Sequence, residues 1–200
     1  GNLMKVSHVV AGVLGLGVGA APAAAQQRII HTVTKENIKC NTSCSVLDFP
    51  ELANNPGGII LVTPVEGAKI KNLHPIGAYY MYLKKWSIFN LDGATIVDGA
   101  QFNVEWYPNP GENRFVFMVP RWGLRSCIDH VGLNNNPNAR FQLFPTGSPT
   151  MGAFYNKEVI KTEFDPTAGQ WCIANVNGTP LPASVAYNVA ITSGVGSGVT

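Results

Sequence analysis

The sequence predicts an all-β fold built from two tandem copies of one module, each a small β-sandwich or open barrel. Three observations carry that expectation. The chain echoes itself in order, its apolar runs are short, β-branched and bounded by turn residues, and no segment keeps a helical period between caps.

The echo is clearest in the second half of each copy. Trp86-Ser-Ile-Phe-Asn90-Leu-Asp92-Gly93 returns as Trp171-Cys-Ile-Ala-Asn175-Val-Asn177-Gly178, and Phe102-Asn103-Val104 as Tyr187-Asn188-Val189, each 85 positions on. Upstream, Asp48, Leu52, Asn55 and Pro56 return as Asp129, Leu133, Asn136 and Pro137 at 81 positions. A third set matches Gly77-Ala78-Tyr79-Tyr80 to Gly152-Ala153-Phe154-Tyr155 at 75 positions. The changing offset implies an insertion in the second copy near residues 157–169, with Ile30–Val33 aligned to Phe115–Met118 at 85. The expected organisation is a leader over 1–25, a first β repeat over 26–107, a linker over 108–113 (PNPGEN), a second repeat over 114–192 and a flexible glycine-rich tail over 193–200.

Within the first copy, strands are expected at Ile59–Thr63, Ile76–Leu83, Trp86–Asn90 and Gln101–Tyr107. The second copy offers Phe115–Val119, Arg140–Phe144, Val159–Phe164, Gln170–Asn175 and Val185–Thr192. Each is limited by Gly, Pro, Asp or Asn. Asp92-Gly93 and Asn177-Gly178 fall at matching places and suggest tight two-residue hairpin turns, which need positive φ. One continuous sandwich sharing a core across both copies is the alternative arrangement.

The leader reads as a signal peptide. Lys5 supplies a positive start, Val9–Val18 an apolar run threaded with glycine, and Ala23 with Ala25 the small residues a signal peptidase accepts, which places cleavage before Gln26. That run is too short to span the roughly 30 Å of bilayer hydrocarbon. The expectation is a protein secreted, periplasmic or held at the cell surface, with no transmembrane segment. The whole chain carries 14 Lys and Arg against 12 Asp and Glu, a net charge of +2. That balance lacks the basic footprint of a nucleic-acid binder.

Four cysteines, Cys40, Cys44, Cys127 and Cys172, admit three pairings in an oxidising compartment. If each copy folds on its own core, bridges stay within copies, giving Cys40–Cys44 and Cys127–Cys172. Cys172 stands where copy one has Ser87, and Cys127 where it has Val46. A zinc site has little support, because Cys127 and Cys172 offer no second close pair.

The segments His74-Pro75-Ile76-Gly77-Ala78-Tyr79, Lys85-Trp86-Ser87-Ile88-Phe89-Asn90-Leu91-Asp92 and Gly99-Ala100-Gln101-Phe102-Asn103-Val104 resemble a bacterial secreted β-rich repeat domain of unknown function. Its pattern is close to H-P-I-G-x-W-Y, K-W-x-I-F-N-x-D and G-A-x-F-N-V. The resemblance covers nearly all of copy one and is eroded in copy two, where Ser148-Pro149-Thr150 replaces the His-Pro pair and Ala174 replaces Phe89. It implies an exported β repeat and brings no catalytic residues.

Trp86 and Trp171, like Phe102 and Tyr187, hold equivalent places and read as core. Tyr80, Tyr82, Trp106 and Trp122 are the candidate ligand-binding residues, since flat aromatics beside Asn and Asp can stack on sugar rings. Packing between the copies explains Trp106 and Trp122 equally well. The histidines downstream of the leader, His31, His74 and His130, form no H-E-x-x-H pattern. Asp48 with Asn54 and Asn55, and Asp129 with Asn134, Asn135 and Asn136, make oxygen-rich loops better explained as Asx turns than as calcium sites. No metal, cofactor or catalytic residue is assigned.

The preferred functional expectation is a non-enzymatic binding or surface-associated module of unknown ligand, its partner being a glycan or another cell-surface component. The alternatives are a carbohydrate-binding or hydrolase-associated domain, and a structural repeat of an extracellular assembly.

Overall fold

In the computed structural model, residues 27–148 and 155–193 are described, so the leader, Gly152-Ala153-Phe154 and the tail beyond Ser193 lie outside them. Copy one contributes β1 (Gln27–Thr32), β2 (Ile38–Lys39), β3 (Cys44–Leu47), β4 (Ile59–Pro64), β5 (Ile76–Tyr80), β6 (Trp86–Asn90) and β7 (Gln101–Tyr107). Copy two contributes β8 (Arg114–Met118), β9 (Ser126–Ile128), β10 (Arg140–Gly147), β11 (Ile160–Asp165), β12 (Gln170–Asn175) and β13 (Ala186–Ser193). A three-residue 3-10 turn, Pro50–Leu52, is the helical element among them.

Each copy folds as two three-stranded layers with one plan. In copy one, β7 lies between β1 and β4, and β6 between β3 and β5. In copy two, β13 lies between β8 and β10, and β12 between β9 and β11. All of these pairings are antiparallel. Six strands of each copy therefore follow one plan, while β2 has no counterpart among the described strands of copy two.

Registers correct the alignment at both ends. Val33 donates its N–H to Ala100 while Val119 donates to Val185, so β1 and β8 match at 86 positions rather than 85. Ile76 pairs with Asn90 and Ile160 with Asn175, so the counterpart of β5 is β11 at 84 positions. The matching of 77–80 with 152–155 at 75 positions is thereby overturned, and residues 157–169 hold β11 and its turn rather than an insertion. Tyr155 instead packs against Tyr79, with ring centroids 6.5 Å apart.

The turn after β6 also departs from expectation. The N–H of Gly93 bonds the carbonyl of Asn90, and Gly178 bonds Asn175 likewise. Gly93 and Gly178 have φ of +73° and +77°, while Asp92 and Asn177 stay at negative φ. A two-residue type I′ hairpin needs positive φ at both central positions. Here the turn ends β6 or β12 and sends the chain across to the other layer.

The copies join edge to edge. β10 runs parallel to β5, with Thr146 opposite Ala78 and Gly147 opposite Tyr79, producing one seven-stranded sheet in the order β2-β3-β6-β5-β10-β13-β8. Gly77 permits the approach, and Gly147 makes room for Tyr155, whose ring meets Tyr79 and Phe89 of copy one. A Cβ on Gly77 would lie 3.2 Å from the Pro145 carbonyl oxygen, and one on Gly147 would lie 2.6 Å from the Tyr155 hydroxyl. Asn188, fully buried, donates its Nδ2–H to the Ile60 carbonyl at 2.9 Å and so ties β13 to β4 of the other copy.

Although the sheet is continuous, the apolar interior is divided. One core gathers Val33, Leu47, Ile60, Trp86, Ile88, Phe102 and Val104 with Phe144 and Ala190 borrowed from copy two. The other gathers Val119, Ile128, Leu133, Ile173, Val185, Tyr187 and Ile191, all from copy two. The disulfides are Cys40–Cys44 and Cys127–Cys172, as expected, the second joining directly opposed residues of β9 and β12. Cys127 stands on β9.

Candidate binding surface

Of the four candidate aromatic residues, two are committed to the interior. Trp106 is 4% exposed and stacks on Phe49 at 4.4 Å between ring centroids. It is therefore unavailable as a ligand platform, because β7 alternates and places residues 102, 104 and 106 inward. Tyr80 is half-buried against Trp86 at 5.4 Å. Tyr82 and Trp122, in contrast, are 84% and 67% exposed. Among the described residues no ring contact joins any two of the four, so they do not form one aromatic strip.

Tyr82 occupies a tight hairpin turn between β5 and β6. Lys84 donates its N–H to Met81 at 2.9 Å, and Met81 donates its own to Lys85 at 2.8 Å. Lys84 adopts φ of +57°, closing a turn whose corner positions are Tyr82 and Leu83. Side chains at turn corners have no strand neighbour, and Leu83 is 66% exposed. The Lys84 carbonyl accepts the N–H of Asn54, itself at φ +56°, which fixes the turn against the β3–β4 loop.

Trp122 lies on the loop from β8 to β9. Val119 pairs with Val185 and Ser184, and Gly123 with Leu181, so the backbone is pinned on both sides of Trp122. Leu124, just past the second pin, is 67% exposed.

Strand pairing brings these loops to one edge of the seven-stranded sheet. Ala78, Thr146, Ala186 and Met118 are successive partners across β5, β10, β13 and β8. Three strand spacings separate the ends of that row, about 14 Å. Tyr82 follows Ala78 by four residues, and Trp122 follows Met118 by four. Cations accompany both. Lys85 pairs with Asp48 at 2.9 Å and Arg125 with Asp165 at 2.7 Å, whereas Lys84 and Arg121 are exposed with no ion pair among the described residues. Asp165 is held below the usual carboxylate range by the Ala168 N–H first and by Arg125 next.

Elsewhere polar residues are structural. His31 Nε2 lies 2.7 Å from Ser45 Oγ, and Ser45 donates to Asn37 Oδ1 at 2.7 Å. Burial lowers the His31 pKa. His74 Nδ1 meets Asp92 at 2.6 Å on the surface, and the same place in copy two holds Asn177 donating to Glu158 at 2.8 Å. Glu158-Val159, rather than residues 148–150, thus replaces His74-Pro75. His130 accepts the Gly132 N–H and stacks on Phe115 at 4.0 Å, so it makes no pair with Asp129. The oxygen-rich loops bond inward: Asp129 accepts from Asn134, and Asn135 donates its N–H to Gly169. Among the described residues no group of three or more His, Cys, Asp or Glu side chains is placed to hold a metal ion.

Sequence reasoning missed Leu83 and Leu124 on the loop tips, and it also missed a pair of buried asparagine contacts. Asn72 donates to buried Asn90 at 2.7 Å, and Asn156 donates to buried Asn175 at 2.6 Å. The match was available at 84 positions, the offset of β11.

Fold and surface together define a tandem β-sandwich protein with exposed apolar loop tips. Residues 18–106 and 77–191 each match the model of the family described as Domain of unknown function (DUF7452), and the chain belongs to that family. No curated protein matches the chain, and no solved structure does.

Proposed function

We propose that this protein is an exported, non-enzymatic module that attaches to a cell-surface component through the loop edge bearing Tyr82, Leu83, Trp122 and Leu124. The observation that carries this reading is the exposure of four large apolar side chains on pinned loops from both copies, at one edge of a shared sheet. Burying such side chains against a partner recovers the stabilisation that exposure forfeits. Export is supported by Lys5, the apolar run and Ala23-Ala24-Ala25 of the leader, and by two disulfides.

The test is sedimentation with washed cell envelopes of the producing organism. The native protein should pellet with them, and a Tyr82→Ser, Trp122→Ser double variant should remain in the supernatant. Both residues are exposed, so the variant should keep the native thermal midpoint. Equal pelleting of the two proteins would overturn the reading.

A further inference from the structure

We infer that the component bound by this edge is an anionic phospholipid surface, an inference that rests on the attachment reading above. Each loop combines the same three chemistries. The first is Tyr82-Leu83-Lys84-Lys85, and the second is Arg121-Trp122-Gly123-Leu124-Arg125. Neither loop, over 81–85 or 119–125, contains an acidic residue. Tyr and Trp rings settle where apolar chain meets polar headgroup, because each has an apolar body and one polar atom. Leu83 and Leu124 can enter the hydrocarbon beside them. Lys84 and Arg121, the cations left over after Lys85 and Arg125 pair with Asp48 and Asp165, supply attraction to negative headgroups.

The shape of the edge favours a bilayer over a folded partner. The loop bases stand about 14 Å apart along the strand row, and the tips are exposed corners rather than walls of a groove. The shallow clefts on the outer faces of the β11-β12-β9 and β1-β7-β4 sheets include none of Tyr82, Leu83, Trp122 and Leu124. A deformable anionic surface meets two separated apolar tips without a matched cavity. A folded protein would have to complement both tips at once.

The experiment uses the exported form, residues 26–200, with vesicles of phosphatidylcholine alone and of phosphatidylcholine mixed with phosphatidylglycerol. The apolar run of the leader, Val9–Val18, is thereby kept out of the binding measurement. Native protein should co-sediment with the mixed vesicles, bind the neutral ones at least about tenfold more weakly, and lose binding as salt is raised. Its tryptophan emission should shift to the blue on the mixed vesicles, and Trp122→Phe should remove most of that shift. Lys84→Glu with Arg121→Glu, and separately Tyr82→Ser with Trp122→Ser, should each reduce binding at least about tenfold. Absence of native binding to the mixed vesicles, or binding that neither pair reduces, overturns the lipid assignment. If vesicles fail while Tyr82→Ser with Trp122→Ser still abolishes envelope binding, the attachment reading stands and its partner is a glycan or protein. If envelope binding also survives that pair, both readings fall.

Discussion

His31 sits on β1 opposite Phe102, and its counterpart in copy two, opposite Tyr187 on β13, is Phe117. One copy therefore buries a titratable ring where the other has a hydrocarbon one. Burial lowers the His31 pKa, so the unfolded chain, near pKa 6.5, takes up its proton first as pH falls. Stability from the neutral ring is fully present above pH 6.5 and is lost as pH falls from there through the folded-state pKa. His31→Phe should flatten the fall in urea midpoint between pH 7.5 and 5, and an unchanged slope would assign the sensitivity to other groups. Trp86 makes a different kind of contribution. It is almost fully buried, and its Nε1–H bonds the Asn55 carbonyl at 2.8 Å, as Trp171 bonds Asn136 at 2.9 Å. Trp86→Ala should cost about 3–5 kcal/mol by denaturant titration. A variant of native stability would remove Trp86 from the core.

Elements reveal what the sequence could and could not disclose. Strands β6, β7 and β12 were legible to the residue, because their β-branched and aromatic runs end at Asn90, before Pro108 and at Asn175. Strands β3 and β9 were not. Cys44–Leu47 and Ser126–Ile128 are four and three residues long, and they exist because β6 and β12 offer an edge. Of the four aromatic candidates, Tyr82 and Trp122 lie exposed and Tyr80 is half-buried, while Trp106 is interior because alternation along β7 outranks its nearness to the linker. The second disulfide was legible through the repeat, and it carries a consequence for copy one. Val46 and Ser87 are direct partners across β3 and β6, as Cys127 and Cys172 are across β9 and β12. Val46→Cys with Ser87→Cys should form a third bridge, detected by non-reducing peptide mapping as a linked pair that leaves both native bridges intact. Free thiols at both positions would show that the two registers are not equivalent. Conversely, Cys127→Ala with Cys172→Ala opens a bridge of sequence separation 45 and should cost about 4 kcal/mol in the chain-entropy account.

At the scale of the molecule the two copies are unequal partners. Copy one's core takes in Phe144 and Ala190 from its neighbour, while among the described residues copy two's core is made of its own side chains. Strand β4 is buried from Ile59 to Val62 and packs against β10, β13 and β8. A fragment of residues 114–193 should consequently show dispersed amide resonances alone, and one of residues 26–107 should not. Two independently folded fragments would mean that the borrowed side chains are dispensable.

The seam between the copies has an equivalent edge elsewhere in the molecule. It consumes the β5 edge of copy one and the β10 edge of copy two, leaving β11 as the place where a further unit would add. There the chain puts Lys161 at the position of Gly77 and Glu163 at that of Tyr79, both exposed. A Cβ at the first of these positions meets a neighbouring backbone in the existing seam, and charge at the second opposes a dry edge. On the opposite side, β4 is already roofed by copy two. A strand arriving at β11 as β10 arrives at β5 would meet a lysine and a glutamate where the existing seam has a glycine and a tyrosine, so the join made inside the molecule has no chemical copy at that edge.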